Sequence, residues 1–353
     1  MVPKWRLKNF QLSSHARRLG YWLWAGAVFV TTSAPTWAAT LEVGSSHELK
    51  VPSAAARVAH DGDTVEIDPG EYFDCAVWSA NHLTIEGKGP GVVITDKTCE
   101  GKALFITRGN DITVRNITFT RARVPDGNGA GIRIEGRNLT VEHSRFINNE
   151  DGMLSGNSPQ SEIRISDSEF LQNGKCIGND CAHGIYIGQV ALLRIERSKF
   201  FETKDGHHVK SRALRTELIG NQITDGPNGT SSYLVDIPNG GSLVMENNTL
   251  EKGPHTTNPE AAIMLGTEDT SQSTVELRFT GNSFSNDTGT RTAFVMNWTD
   301  ATPDLENNRF SGEVTPISSS GYWLHEIRRD LGQAREAAHN VIGLVKQAVN
   351  HLR

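Results

Sequence analysis

Aromatic side chains are scarce in this 353-residue chain, at 7%. With 34 glycines and abundant Asn and Thr, the composition suits stacked short strands and turns better than a helical bundle. Long apolar runs are missing too. The stretch Tyr21–Val30 is too short to span a bilayer easily, so no stable membrane span is expected once it is removed. The four cysteines show no Cys-x-x-Cys spacing, which argues against a metal site. Residues 1–38 contain no acid. They carry Lys4, Arg6, Lys8, Arg17 and Arg18 around and ahead of the apolar run and close on Thr36-Trp37-Ala38. That is the layout of an export signal, which places the protein in the periplasm or outside the cell. Loss of those five basic residues takes the formal net charge from −6 to −11, and a field of that sign argues against nucleic acid as a partner.

What the chain does have is a repeat. An apolar residue, a polar stretch and a second apolar residue five positions on recur at Val114–Phe119, Val141–Phe146, Ile165–Phe170, Ile195–Phe200, Leu218–Ile223, Met245–Leu250, Phe279–Phe284 and Leu305–Phe310. A period in the twenties marks a solenoid. Two positions before seven of the closing residues stand Ser144, Ser168, Ser198, Asn221, Asn248, Asn282 and Asn308. A small polar side chain at one point of every coil builds a hydrogen-bonded ladder, which selects a β-solenoid over a helical one. With an even cysteine count in an exported chain, disulfides are expected: Cys176 with Cys181 inside one loop, and Cys75 with Cys99 on neighbouring coils.

Residues 51–72 read VPSAAARVAHDGDTVEIDPGEY: an alanine-rich helix, Asp61-Gly62-Asp63-Thr64, an alternating strand Val65–Ile67, then Pro69-Gly70-Glu71-Tyr72. This resembles the start of right-handed parallel β-helix proteins of the pectin-lyase-like class, in which a short helix closes the first coil. The fold this implies is an all-β solenoid, a single-stranded right-handed parallel β-helix over residues 39–317 with an N-terminal helical cap. Residues 1–38 are assigned to the signal. Residues 322–353 are expected to form an amphipathic helix, because Leu324, Ile327, Leu331, Ala334, Ala338, Val341, Val345, Ala348 and Leu352 alternate spacings of three and four. That helix is expected to brace the solenoid, to pair copies into a homo-oligomer, or to lie on a membrane surface.

A second strand set runs through Gly131–Ile134, Gly152–Ser155, Gly184–Ile187, Gly206–Val209, Tyr233–Ile237, Ala262–Leu265 and Ala293–Met296. Alternation sends Ile132, Ile134, Ile185 and Ile187 inward and Arg133, Tyr186, His208 and Lys210 outward. On the same count His207 points inward with Val209. Outward residues on successive coils then line up about 4.8 Å apart along a groove. Around that groove gather Glu150, Asp151, His183, Asp205, Arg212 and Asp236. Residues 194–215 hold seven Lys or Arg against three Asp or Glu, a basic island suited to an acidic polysaccharide.

The order of these pieces is similar to the polygalacturonase family. Asn128-Gly129-Ala130-Gly131, Glu150-Asp151, Cys181-Ala182-His183-Gly184-Ile185 and His208-Val209-Lys210 stand where that family has Asn-Thr-Asp, Asp-Asp, Gly-His-Gly and Arg-Ile-Lys. The resemblance implies inverting hydrolysis, but Ala130 replaces one of the acids it requires. The leading expectation is therefore lyase or carbon-5 epimerase chemistry on a uronate. Lys210 and Arg212 neutralise the carboxylate, His208 or Lys210 takes the proton, and Tyr186 returns a proton or serves as a platform for a sugar ring. His183 and Asp151 complete the catalytic set. Tyr186, Arg212, Glu150, Asp205, Asp236 and Arg133 are assigned to substrate binding. No cofactor is required, with calcium held by carboxylates as the alternative. The rival class is a glycan-binding or envelope-structural solenoid without turnover.

Overall fold

The computed structural model describes residues 38–319. Their strands, from Thr40–Val43 to Val314–Ser318, stack into three long parallel sheets of 11, 10 and 10 strands, and a separate two-stranded hairpin projects from them. Each coil contributes one strand to each sheet in turn. One coil, for example, runs Leu139–Glu142, Arg145–Ile147 and Asp151–Ser155, and the next begins at Ser158. Coils exist upstream of the repeat visible in the sequence, since Thr64–Ile67 pairs in parallel with both Thr40–Val43 and Thr84–Gly87.

From His143 onward the first corner of each coil is built in the same way, and Asn116 makes the same bend one coil earlier, ahead of Ile117. One residue with positive φ turns the chain, and the next supplies a ladder side chain. Asn116, His143, Asp167, Arg197, Gly220, Asn247, Gly281 and Asn307 take the left-handed conformation, with φ between 45° and 69°. Such a bend costs an L-residue energy, and Gly, Asn and Asp bear it best. The ladder runs without a gap. The Ile117 N–H donates to Ser144 Oγ, Ser144 N–H to Ser168 Oγ, Ser168 N–H to Ser198 Oγ, and Ser198 N–H to Asn221 Oδ1. Asn221, Asn248 and Asn282 continue it, each donating its N–H to the next Asn Oδ1 at 2.8–3.0 Å. These amides are buried in a corner where no strand pairs with them, so the side chains meet a need that water cannot.

Inside, Phe119, Phe146, Phe170 and Phe200 stack with ring centroids 5.1, 4.7 and 4.6 Å apart. Full burial of each ring contributes roughly 1.5–3 kcal/mol. Cys75 is joined to Cys99, and Cys176 to Cys181 across the antiparallel hairpin Lys175–Ile177/Asp180–Ala182. A one-turn helix, Pro52–Ala56, buries Pro52 and Ala55, with Ala55 part of the solenoid core. It follows the strand Thr40–Val43, which already ends the 11-stranded sheet. The expected export signal and the C-terminal amphipathic helix lie outside the described residues. Among those described, no helix is long and apolar enough to cross a membrane.

Candidate functional site

An open cleft of about 790 Å³ lies on the 10-stranded sheet that contains Ala130–Ile134, Asp151–Ser155, Ile185–Ile187, Val209–Ser211 and Val235–Ile237. The disulfide-closed hairpin forms part of its wall through Asn179, Asp180, Cys181 and Ala182. Two columns of side chains run through this face and supply part of the cleft lining, because parallel in-register strands place equivalent residues one strand spacing apart. One column runs Arg133, Leu154, Tyr186, Lys210, Asp236. The other lies at the start of the strands and stacks imidazole on imidazole on phenol: His183 to His207 at 4.9 Å and His207 to Tyr233 at 5.2 Å.

Hydrogen bonding fixes the state of both imidazoles. His183 Nδ1 accepts the His207 backbone N–H at 3.0 Å, and His207 Nδ1 accepts that of Tyr233 at 3.1 Å. A nitrogen that accepts carries no proton, so each ring is neutral with its hydrogen on Nε2. Burial, reinforced for His183 by Lys210 and Arg212, pushes both pKa values well below the usual histidine range. These rings are therefore hydrogen-bond donors rather than acids or bases. His207 Nε2 lies 3.4 Å from Asp236 Oδ2. Asp151 accepts the His183 N–H at 2.7 Å, and burial raises the Asp151 carboxyl well above the ordinary carboxylate range. Asp151 thus holds the backbone at His183, not its ring, while itself tending to the neutral form.

Tyr186 and Lys210, which line the cleft, form a charged cluster with Arg212, which is not among its lining residues. Arg212 Nε donates to Tyr186 Oη at 2.8 Å, and Lys210 Nζ sits 5.5 Å from the centre of the same ring. Since the Tyr186 oxygen accepts from the guanidinium, its own O–H remains free to donate into the cleft. Lys210 lies 3.7 Å from Asp236 and 3.2 Å from Glu268, and Arg212 lies 2.6 Å from Glu268. Burial lifts the pKa of Asp236 to about 6 against the opposing charge of Lys210. Arg133 differs from the other two cations: among the described residues its buried Nε finds no hydrogen-bond partner.

Several sequence expectations change here. His208 does not face the groove. It is 0% exposed, held between Thr203 Oγ1 at 2.8 Å and Asp225 Oδ1 at 2.9 Å. His207, expected inside, lines the cleft with 13% of its side chain exposed. The cause is that the strand runs Val209–Ser211 and not Gly206–Val209, so alternation cannot be counted back through the histidine pair. Glu150 is not a substrate ligand but a 1% exposed fastener, with Oε2 accepting the N–H groups of Val124 and Gly129 and Oε1 bound to Lys175 at 2.8 Å. Asp205 sits in a positive-φ turn, bonded to Thr230 and away from the cleft lining. Arg133, Asp151, His183, Tyr186 and Lys210 do line the cleft, whereas Arg212 and the buried Asp236, also expected to bind substrate, are not among its lining residues. Sequence reasoning missed Glu268, Asp225 and the tautomer ladder. Glu268 and Asp225 carried no motif, coming from loops 58 residues from Lys210 and 17 from His208. Among the described residues, no three or more His, Cys, Asp or Glu are grouped to hold a metal ion.

A protein-family model described as "Right handed beta helix region" matches residues 53–180. No curated protein matches the sequence. Among solved structures, an alginate lyase from Paenibacillus superimposes with a TM-score of 0.50 at 15% identity, covering 78% of this chain and 99% of that one. A pectin methylesterase from Yersinia enterocolitica gives 0.45 at 10% identity, over 77% of this chain and 94% of that one. The A-module of a mannuronan C-5 epimerase from Azotobacter vinelandii gives 0.41 at 15% identity, over 74% and 91%.

Proposed function

We propose that this right-handed parallel β-helix protein is an exported enzyme acting on a uronate-containing polysaccharide, by lyase or carbon-5 epimerase chemistry. The observation that carries the reading is the line Tyr186–Arg212–Glu268, in which one guanidinium holds both a phenol oxygen and a carboxylate. The proton on carbon-5 of a uronate is not acidic. It becomes removable when the neighbouring carboxylate is neutralised and a proton-transfer group is held beside it. Arg212 and Lys210 supply the charge; Tyr186, in its phenolate form beside the Arg212 guanidinium, takes the carbon-5 proton while the C–H electron pair passes toward the carboxylate, and the phenol so formed gives the proton to the departing glycosidic oxygen in a lyase. His183, kept neutral by burial and oriented by its Nδ1 accepting the His207 N–H, donates a hydrogen bond through Nε2, and Arg133 receives the carboxylate of a more distant sugar. The neutralising role that calcium fills in the alternative is assigned here to Arg212 and Lys210.

Alginate is one polymer of this kind, the substrate named for the Paenibacillus enzyme of similar fold; the case for this chain rests on its own residues. Two disulfides support export, since such bonds persist in oxidising compartments. The domain scheme of signal at 1–38, solenoid at 39–317 with its first helix as a cap, and helix at 322–353 stays part of the proposal. A second reading, a glycan-binding solenoid without turnover, is favoured by the ion pairs that already engage Lys210 and Arg212.

Tyr186→Phe separates the two readings. It removes the oxygen and leaves the ring under Lys210. An enzyme should lose about 10²–10⁴ in turnover of uronate polymer while still binding it. A variant with unchanged turnover would remove Tyr186 from the chemistry.

A further inference from the structure

Lys210 and Arg212 hold a carboxylate that comes from outside their sheet. Glu268 stands on the turn after Ala261–Leu265 and reaches back into the cleft. Arg212 grips it as a fork, Nη1 to Oε2 at 2.6 Å and Nη2 to Oε1 at 2.8 Å, and Lys210 Nζ donates to Oε1 at 3.2 Å. The third nitrogen of that guanidinium holds Tyr186 Oη at 2.8 Å. A carboxylate at this point therefore sits one guanidinium away from the phenol. A uronate needs the same relation to present its carbon-5 to Tyr186. The two-pronged grip is the geometry by which arginine recognises carboxylates in general.

The turn does not depend on this grip. The N–H groups of Glu268 and Asp269 both donate to the Pro238 carbonyl, at 2.9 and 3.1 Å, and Gln272 Nε2 donates to the Arg212 carbonyl at 2.8 Å. The backbone is thus pinned to the neighbouring coil. The Glu268 side chain, 45% exposed, is able to swing out while the turn stays in place.

We propose that the position of the Glu268 carboxylate is the uronate-carboxylate subsite of the cleft, and that Glu268 is a built-in competitor which the substrate displaces. This rests on the uronate reading above. Only the carboxylate side of this pair is open to water, Glu268 at 45% against 14% and 17% for Lys210 and Arg212, and a uronate carboxylate can take over the same grip while the Glu268 side chain gains freedom on release. Apparent affinity is divided by the fraction of molecules with the subsite open, so removing the competitor should tighten binding about three- to tenfold.

Calorimetric titration of the full chain tests this without any need for turnover. Wild type, Glu268→Gln and Glu268→Ala are titrated with short oligomers of mannuronate, guluronate and galacturonate, and with a neutral cello-oligosaccharide. Both variants should bind a uronate oligomer three to ten times more tightly than wild type, with the neutral sugar unchanged. Adding Arg212→Ala to Glu268→Gln should abolish the gain. Wild-type binding with no gain in either variant overturns this inference and leaves the uronate reading standing. A gain that survives loss of Arg212 overturns the assigned subsite. If no protein, wild type included, binds any uronate, the uronate reading falls and this inference with it.

Discussion

Asn248→Ala removes one rung from the corner ladder, and its cost follows from the bonds that rung makes. Asn248 Oδ1 accepts the Asn221 N–H at 2.8 Å, and its Nδ2 donates to the Leu218 carbonyl at 2.8 Å. Both partners are buried beyond the reach of water. Alanine strands a donor and an acceptor, each costing roughly 1–3 kcal/mol, so a loss of about 3–4 kcal/mol is expected. Asn248→Ser should cost about half as much, because a serine oxygen can still take the N–H, as Ser198 does for Ser168 at 3.1 Å. Thr249→Ala, at an exposed position in the adjoining strand, should change stability by less than about 0.5 kcal/mol. In a solenoid the damage stays local. Hydrogen exchange at the Asn221 amide should therefore accelerate about a hundredfold, while amides several coils away change little. An Asn248→Ala protein as stable as the Thr249 variant would refute the ladder as a source of stability.

Three further outcomes bear on the site and its walls. Asp236 has its pKa raised to about 6, chiefly by burial, so the folded state holds a proton that the unfolded state gives up near 3.8. The folded state binds more protons in that window, and stability falls as pH rises from about 4 to about 6. Asp236→Asn should thus be more stable than wild type at pH 8 by on the order of 2–3 kcal/mol, with the difference vanishing toward pH 4; urea melts at both pH values check it. His183 runs the other way. Its folded pKa is depressed below 6.5, so it should withdraw stability as pH falls below 6.5, and His183→Gln should flatten that part of the acid limb. Replacing Cys75 and Cys99 by serine should cost about 3–4 kcal/mol, and Cys176 with Cys181 about 2 kcal/mol, because the first pair closes the longer loop. Denaturant midpoints under oxidising conditions give the order, and the reverse order would contradict it.

Much of the architecture was legible because a solenoid writes its geometry into the sequence at a fixed phase. Ser144 to Asn308 stood out by position and type, and the outward residues Arg133, Tyr186 and Lys210 followed from alternation within strands that do form. The histidine pair was misassigned because Gly206-His207-His208 carries no signal that the strand starts only at Val209. Two-residue periodicity holds only inside the strand, so a late start left the count without meaning. Glu150 looked like chemistry because Glu150-Asp151 stands where the polygalacturonase pattern has two acids, yet the two N–H groups and one ammonium around it consume its oxygens. Glu268 was invisible for a different reason. It sits in a long loop between sheets, and only the folded coil brings it to Arg212.

The most direct test of the central claim is proton exchange at carbon-5. The mature protein is incubated with alginate and with polygalacturonate in deuterated water, and exchange is followed by NMR alongside the ultraviolet absorbance of unsaturated ends and the release of reducing ends. The account predicts deuterium at carbon-5, unsaturated ends, or both, on at least one polymer, and loss of the signal in Tyr186→Phe. Binding without exchange or unsaturation would contradict it and leave a glycan-binding solenoid, and reducing ends alone would make the protein a hydrolase.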